Sequence, residues 1–552
     1  MAPMSTPHPR PFYYLENFRT VLAWLRDRYA DLLSPAERDF MQVFAALPIA
    51  SSALLVRMIM RKGDLFRTSK LAYGEIGCPR EAAAPLIRAG WIDDRPLLGA
   101  ADLFRLLRKA ELQRAFRFAP KTGALPKSEL LQQVAGGFVE RRTFDAWCPD
   151  SADEIYRVSI APLCERLRLM FFGNFDQTWS EFVLADLGIF KYEKVELAPS
   201  SRAFQARTHV EDFHALYRCR ERFHRDEPCE SILADLPAAI PDNDWLEGRR
   251  AKLLFRVAQR YERGGDLPAA LNIYSTCRYP GSRARAIRVL ERSDRCAEAA
   301  ELAARAEREP EDEVERQQVR RVLPRLRRKL GERLKPVRRA EAWSTFELSL
   351  PAPDPPISVE RATGAHLTQP DAPVHYVENA LINSLFGLLC WDVVFMPLPG
   401  AFFHEFHSAP ADLFSAGFHR RREAQFAARL AQLDTEQYKE TITQTFHCKV
   451  GIQSAFVAWG LLTQDLLRLA LDCLPPAHLR RCFDRILLDV KTNRAGFPDL
   501  IQFWPRERRY RMIEVKGPGD RLQDNQIRWL DYCASHGMPV SVCHVRWAEA
   551  PG

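Results

Sequence analysis

Paired cysteines are missing from this chain. Its 13 cysteines are scattered and no two of them form a C-x-x-C pair, which argues against both a zinc ribbon and a disulfide framework. Scattered free thiols are typical of a protein in a reducing compartment. The sequence also lacks a glycine-rich phosphate loop of the Walker A or G-x-G-x-x-G type, so we expect no nucleotide hydrolysis.

Long apolar runs are equally scarce. The most apolar stretch, residues 380–403, predicts a buried helix rather than a membrane span. It is interrupted by polar residues and prolines, at Asn383, Asp392, Pro397 and Pro399. The first ten residues contain no apolar run and predict no signal peptide. We therefore expect a soluble protein, located in the cytoplasm with the nucleoid if the source is bacterial and in the nucleus if it is eukaryotic.

Length and charge indicate several domains and a polyanionic partner. A chain of 552 residues is too long for one hydrophobic core, so three or four domains are expected. The net charge of +8 is modest, but the basic residues are clustered, which suits a partner such as nucleic acid.

The first 170 residues carry helical patterns. Ser34 is a predicted N-cap with Pro35 at the first helical position. Leu54–Lys62 predicts a helix that either recognises DNA or, the favoured interpretation, packs into the core. Leu103–Phe116 predicts one amphipathic helix, followed by a Gly-containing loop and a second helix that opens K-S-E-L-L at Lys127.

Helix, loop and second helix together resemble a SAP motif, a small DNA-binding unit. Its basic side chains would contact phosphates, which positions DNA without reading its sequence. The candidates are Lys109, Arg117, Lys121 and Lys127, with Arg105 and Arg114. An ordinary helical hairpin with solvated lysines is the open alternative.

Residues 247–345 predict a helical repeat. Arg256–Tyr274 contains a helix, a Gly-Gly-Asp turn and a second helix, which is similar to a tetratricopeptide-type unit, and a looser copy follows over 286–303. Stacked helix pairs of this kind usually bind proteins or act as spacers. The proline-rich stretch Pro351–Pro356 predicts a linker before the final domain.

The most informative stretch is a predicted hairpin near the end of the chain. It comprises an apolar strand over 500–504, a turn over 505–509 and a return strand over 510–516. Pro498 and Asp499 lead into the first strand. Since side chains alternate along a strand, Glu514 and Lys516 share one face while Val515 points into the core. Pairing across the hairpin can place Asp499 beside Glu514.

This pattern predicts a metal-dependent nuclease core of the P-D…E-x-K type. Clustered carboxylates suit a hard cation such as Mg²⁺ or Mn²⁺, which activates water and neutralises charge on a phosphodiester. A lysine on the same face orients the water, helps to deprotonate it or stabilises the developing charge. A bare E-x-K occurs by chance as a solvated ion pair. The P-D dipeptide, the hairpin and the glycine-rich exit favour the nuclease.

The C-terminal region resembles a known family in four places. These are Glu378 with the apolar stretch 385–392, Gly496–Leu500, Glu514–Leu522, and Gln526 with Trp529 and Leu530. Together they look like the Fanconi-associated nuclease family, in the VRR-NUC branch of the P-D/E-x-K superfamily, from about 370 to 547. Upstream, the SAP-like and tetratricopeptide-like segments occur in the order found in this family.

The resemblance implies a structure-specific DNA nuclease of interstrand crosslink repair. It implies endonuclease and 5′-to-3′ exonuclease activity on 5′ flaps and branched DNA, with Mg²⁺ or Mn²⁺. The implied metal ligands are Glu378, Asp499, Glu514 and the backbone carbonyl of Val515. The implied catalytic residues are Lys516, Glu514, Asp499 and Gln526. The implied DNA contacts of this region are Lys491 and Arg494.

We therefore predict a multidomain, mainly α protein with a C-terminal α/β nuclease domain of restriction-endonuclease-like fold. The predicted segments are a helical N-terminal domain (1–75), a SAP-like domain (76–170), a helical connector (171–246), helical repeats (247–345), a linker (346–370) and the nuclease domain (371–552). We expect branched or 5′-flap DNA as partner, with other repair proteins on the repeats and no membrane. Two alternatives stay open: a DNA-repair scaffold with an inactive nuclease domain, and a restriction-like or RNA-processing nuclease.

Overall fold

The fold is that of a computed structural model of the chain. The structure describes residues 11–116, 125–135, 140–179, 181–182, 185, 188–197, 201–333, 343–415 and 417–548. The chain forms two compact units, one of Met1–Ile189 with Leu197–Val210 and the other of Phe190–Glu196 with Glu211–Gly552. Within the described ranges, no helix has the length and apolar character needed to cross a membrane.

The first unit is mainly helical and contains a small sheet. Its helices are α1 (Tyr13–Tyr29), α2 (Pro35–Ala46), α3 (Ile49–Ile59), α4 (Pro79–Arg88), α5 (Ala100–Leu106), α6 (Lys109–Ala115), α7 (Lys127–Ala135), α8 (Phe144–Trp147) and α9 (Ala161–Phe172). Its strands are β1 (Leu65–Arg67), β2 (Ile92–Asp93) and β3 (Ile155–Val158), which form an antiparallel sheet in the order β1-β3-β2.

The predicted start of α2 is confirmed, as is the core position of α3. Ser34 accepts a hydrogen bond from the Glu37 backbone, and the Glu37 carboxylate accepts one from the Ser34 backbone in return, which is a capping box. In α3, Leu54, Leu55 and Val56 are fully buried. This helix therefore packs into the core, as the favoured interpretation of Leu54–Lys62 had it.

The single helix predicted over Leu103–Phe116 is wrong. The structure has two short helices, α5 and α6, because Leu107 and Arg108 both adopt extended backbone. The Glu111 carboxylate accepts a 2.6 Å hydrogen bond from the Arg108 backbone N–H, which starts the second helix there. α7 completes the motif, and its Leu130 packs into the same hydrophobic core as Leu103.

The second unit begins with stacked helices. They are α10 (Arg207–His224, whose first turn precedes the unit), α11 (Cys229–Ala234), α12 (Asp244–Gly264), α13 (Leu267–Thr276), α14 (Ser282–Arg292), α15 (Cys296–Arg308) and α16 (Glu313–Lys329). Gly265 ends α12 in the left-handed region at φ 89°, and the Asp266 side chain caps α13. The two predicted helix pairs are confirmed, whereas their tetratricopeptide type stays a prediction.

The rest of the second unit is a mixed sheet with its helices. The helices are α17 (Val359–Leu367), α18 (Leu381–Leu389), α19 (Trp391–Val394), α20 (Glu423–Ala431), α21 (Gln437–Lys449), α22 (Gln464–Cys473), α23 (Pro476–Leu488), α24 (Val490–Asn493) and α25 (Asp524–Ser535). The strands are β4 (Ser344–Pro351), β5 (Val374–Tyr376), β6 (Leu500–Trp504), β7 (Arg509–Lys516) and β8 (Val540–Ala548).

The sheet has the order β4-β8-β7-β6-β5. β6 and β7 form the predicted antiparallel hairpin, in which Leu500 pairs with Ile513. β8 runs parallel to β7, and β5 covers the other edge of the hairpin in antiparallel orientation. The predicted fold class, mainly α with a C-terminal α/β nuclease fold, is confirmed.

The linker predicted over 346–370 is wrong. Most of β4 and all of α17 lie in this range, and β4 pairs in parallel with β8 along its whole length. Phe346, Leu348 and Leu350 turn alternate side chains onto the hydrophobic core beneath the sheet. The prolines lie at the end of β4 and in the connection that follows it, so they interrupt no ladder.

The buried helix α18 offers a test of packing. A Cβ on Gly387 would meet the Cβ of Phe456 at 2.6 Å, an atom that the backbone holds in place. We therefore expect Gly387→Ala to lower the free energy of unfolding by about 1–3 kcal/mol.

Gly364 in α17 provides the control. A Cβ there would meet Leu500 Cδ2 at 3.7 Å, an ordinary contact, so Gly364→Ala should leave stability unchanged or raise it. Urea denaturation of both variants beside the wild type measures the difference, and coinciding midpoints for Gly387→Ala and wild type would contradict the expectation.

Candidate active site

The β6–β7 hairpin brings together three charged side chains of the P-D…E-x-K pattern. Glu514 is fully buried, and Asp499 and Lys516 are each 7% exposed. Asp499 Oδ2 accepts a 2.8 Å hydrogen bond from the Val515 backbone N–H, which fixes this carboxylate across the hairpin. The Val515 side chain packs in the core under the sheet, as the strand alternation predicts.

One ammonium group compensates two buried carboxylates. Lys516 Nζ lies 2.8 Å from Glu514 Oε1. Burial, together with the nearby charge of Asp499, raises the pKa of Glu514 to about 8, although Lys516 opposes the rise. Burial likewise raises the pKa of Asp499 to about 6, against the hydrogen bond from Val515. The site therefore favours a protonated carboxyl near neutral pH unless another cation joins it.

The donor set fits a hard divalent cation. Both Glu514 carboxylate oxygens are buried and accept no hydrogen bond of good geometry, so the Lys516 contact is an ion pair alone. Oxygen atoms of two neighbouring carboxylates are the ligands that Mg²⁺ and Mn²⁺ prefer. Among the residues that the structure describes, however, no three His, Cys, Asp or Glu side chains form a ready cage for a metal.

Glu378 lies close to this pair but is engaged elsewhere. The Val377 N–H donates a hydrogen bond of 2.8 Å to the backbone carbonyl of Asp499, and this bond holds the next residue, Glu378, beside the site. The charge of Glu378 adds to the rise in pKa of both Asp499 and Glu514. Its carboxylate accepts hydrogen bonds from the Tyr376 hydroxyl and the Asn379 amide. The predicted third metal ligand, Glu378, therefore lies near Asp499 and Glu514, but the three carboxylates do not form a ready metal cage.

Gln526 joins the site from the first turn of α25. Its Oε1 accepts a hydrogen bond of 3.1 Å from Lys516 Nζ and one of 2.8 Å from the Gln523 backbone N–H. The second bond is the helix-capping contact of this turn, so the amide is held in one orientation. Gln526 and Glu514 together orient the lysine.

Asn379 is a structural residue of the site that sequence reasoning missed. Its backbone is left-handed at φ 51°, a conformation that Asn tolerates better than most residues. Its Oδ1 accepts hydrogen bonds from the backbone N–H groups of Gly496 (2.7 Å) and Phe497 (3.1 Å), just before Asp499. An Asn directly after a candidate ligand was the available signal, but its partners are more than a hundred residues away.

The two predicted DNA contacts of this unit already have protein partners. Exposed Lys491 has its ammonium 3.3 Å from the Tyr279 hydroxyl and 5.2 Å from that ring's centroid. The Arg494 guanidinium donates a hydrogen bond of 2.6 Å to the Ala455 carbonyl, and burial lowers the pKa of Arg494. Both lie on or just after α24, shortly before the Pro-Asp turn. Their contacts to DNA stay a prediction.

The predicted DNA-binding residues of the SAP-like segment lie in different surroundings. Lys127 Nζ donates hydrogen bonds to the carbonyls of Phe104 (3.2 Å) and Leu107 (2.6 Å), so it caps the end of α5. Lys109 is the first residue of α6 and is half-buried. Arg117 and Lys121 lie outside the described residues. A phosphate contact stays a prediction for all four.

Comparison with protein-family models defines the class of the protein. The VRR-NUC domain model matches residues 433–547, and the Fanconi anemia-associated nuclease SAP domain model matches residues 97–147. A third model, the FAN1 helix-turn-helix domain, matches residues 12–93. The hairpin site lies within the first of these ranges, so the chain is a nuclease of the P-D/E-x-K type, and the SAP interpretation is confirmed.

A relative that matches along the whole chain shows the family. A Pseudomonas aeruginosa protein called Fanconi-associated nuclease 1 homolog is 54% identical over 546 residues, 99% of this chain and 98% of that protein. The human Fanconi-associated nuclease 1 is 32% identical over 199 residues, 34% of this chain and 19% of that protein. The chain belongs to the Fanconi-associated nuclease 1 family.

A solved structure of high similarity supports the same assignment. The crystal structure of paFAN1 bound to 5′-flap DNA with a two-nucleotide flap and a gap superposes with a TM-score of 0.95. It is 53% identical in sequence and covers 99% of this chain and 100% of that one.

The Asn379 contacts generate a prediction for stability. Asn379→Ala removes the acceptor of two backbone N–H groups and leaves a side chain that resists the left-handed region. We expect it to lower the free energy of unfolding by about 1–3 kcal/mol. Asn379→Gly lacks the acceptor but relieves the backbone, so it should be less destabilised. Urea denaturation compares the three proteins, and an Ala variant as stable as wild type would refute the role.

Proposed function

We propose that this nuclease cuts 5′ flaps and other branched DNA as a structure-specific endonuclease and 5′-to-3′ exonuclease of DNA repair, including the repair of interstrand crosslinks. The observation that carries the substrate class is the full-length similarity to paFAN1, whose crystal structures contain 5′-flap DNA with a gap. The buried Asp499–Glu514–Lys516 group supplies the chemistry.

We further propose that the reaction depends on Mg²⁺ or Mn²⁺ held by this chain's oxygen atoms. Asp499 and Glu514 would bind the cation, with Glu378 and the Val515 backbone carbonyl completing the set. The bound cation supplies Lewis acidity and an activated water for attack on the phosphodiester. Glu378 would have to exchange its hydrogen bonds to Tyr376 and Asn379 for this role.

Lys516 takes the part of the positioned cationic donor. It is held by its ion pair with Glu514 and by its hydrogen bond to Gln526. That hydrogen bond uses one of the three N–H groups of a lysine ammonium, which leaves a donor for the attacking water or a phosphate oxygen. A fixed donor of this kind stabilises charge as it develops and needs no reorganisation during the step. Burial of the group keeps competing water away from it.

The proposal predicts the effect of single substitutions. Asp499→Ala and Lys516→Ala should each lower the cleavage rate by at least about two orders of magnitude, because the first removes a proposed ligand of the cation and the second the donor to the reacting groups. DNA affinity should change little. The assay is Mg²⁺- or Mn²⁺-dependent cleavage of a labelled 5′-flap duplex, beside linear duplex, single strand and RNA.

Glu507→Ala and Arg506→Ala are the matched controls. These charged residues lie on the turn of the same hairpin, away from the buried group, and among the described residues Glu507 is ion-paired only with Arg509. Both variants should cleave at the wild-type rate. Binding of flap DNA without cleavage by the wild type would favour the scaffold alternative, and preferential RNA cleavage would favour the RNA-processing one.

A further inference from the structure

The last helix of the repeats contacts the helix that carries Gln526. The Arg321 guanidinium of α16 lies 2.7 Å from the Asp524 carboxylate, at the first residue of α25. Gln317 donates from Nε2 to the Asp524 backbone carbonyl at 3.3 Å and accepts a 2.6 Å hydrogen bond from Arg528. Residues four apart on α16 thus hold residues four apart on α25.

A buried arginine extends the same contact. Glu313, one turn before Gln317, pairs at 2.6 Å with Arg485 of α23, which is 3% exposed. The Arg485 guanidinium lies over the rings of Trp529 (4.8 Å) and Tyr532 (4.2 Å) of α25. Gln317 and Arg321 of α16 therefore contact the start of α25 directly, and Glu313 reaches its later turns through Arg485.

The first turn of α25 is also the turn that orients the lysine. Gln526 lies between Asp524 and Arg528, the two residues that α16 holds. A loop over 517–523 joins Lys516 to this helix, whose buried side chains begin at Trp529, whereas its first turn is only partly buried. Contacts from α16 to this first turn therefore add to the packing that keeps Gln526 within 3.1 Å of Lys516.

We propose that α16 is a positioning element of the nuclease site: by holding Asp524 and Arg528 it fixes Gln526 against Lys516. The inference rests on the proposed function and deepens it, because it gives the helical repeats a part in the chemical step beyond that of a spacer. Gln317 and Arg321 are positioning residues, since they touch α25 and not the reacting atoms.

The contact between α16 and α25 can be tested separately from folding, because it contributes little to the free energy of unfolding. The Arg321 and Asp524 side chains are 51% and 49% exposed, and ion pairs of such exposure contribute little to folding. Removing them should therefore leave the fold intact. A small displacement of Gln526 acts directly on the orientation of Lys516, and reaction rates are far more sensitive to such displacement than stability is.

The test is the double variant Gln317→Ala with Arg321→Ala in the full-length protein. Single-turnover cleavage of 5′-flap DNA at saturating enzyme should slow by about tenfold, while the Kd for the same DNA changes by less than about twofold. The matched control is Gln318→Ala with Arg320→Ala, which removes the same residue types from exposed positions of α16. Arg321→Lys keeps the ion pair with Asp524 and should retain most of the rate.

A second background separates positioning from a general loss of structure. The Gln526→Ala protein has no side chain left for α16 to position. Adding Gln317→Ala and Arg321→Ala to it should therefore slow cleavage by less than about twofold relative to Gln526→Ala alone. Equal slowing in both backgrounds would overturn the proposal, as would an unchanged rate or a control that slows as much. If wild type and Asp499→Ala cleave alike, the proposed function itself has failed, which is a different result.

Discussion

Two buried carboxylates that share a single ammonium are the constraint on which the rest of the site depends. Asp499 and Glu514 face each other across the β6–β7 hairpin, and Lys516 is too little positive charge for both. Desolvated charge of this kind is unfavourable unless it is paired. A divalent cation, as proposed above, would restore the balance, and its binding would recover part of the free energy that the buried charges cost.

The surrounding structure holds these groups in a conformation that they would not keep alone. The Val377 backbone extends the β5–β6 pairing to Asp499, and Asn379 holds the turn before it. On the other side, Gln526 orients Lys516 from a helix whose first turn contacts the repeats. The reacting groups therefore lie on rigid elements, and their supports come from distant parts of the chain.

The hairpin and its charged residues could be predicted because their signals are local: strand alternation, turn residues and the P-D and E-x-K spacings. β4 had a local signal in the alternating Phe346, Leu348 and Leu350, which the proline-rich stretch after them outweighed, and its partner β8 lies near the other end of the domain. The contacts that Lys127 makes could not be predicted, because its partners are carbonyl groups of a neighbouring helix. The split between α5 and α6 had a local signal in Glu111, which the apolar periodicity outweighed.

The most direct measurement is the number of protons released when Mn²⁺ or Mg²⁺ binds the metal-free protein, from calorimetric titrations in buffers of different ionisation enthalpy. Because the pKa of Glu514 is raised to about 8 and that of Asp499 to about 6, the pair holds about one proton at pH 7 that a cation must displace. We predict release of about one proton at pH 7, falling towards zero above about pH 9. Binding without proton release at pH 7, or with the same release at both pH values, would contradict the shared-charge site.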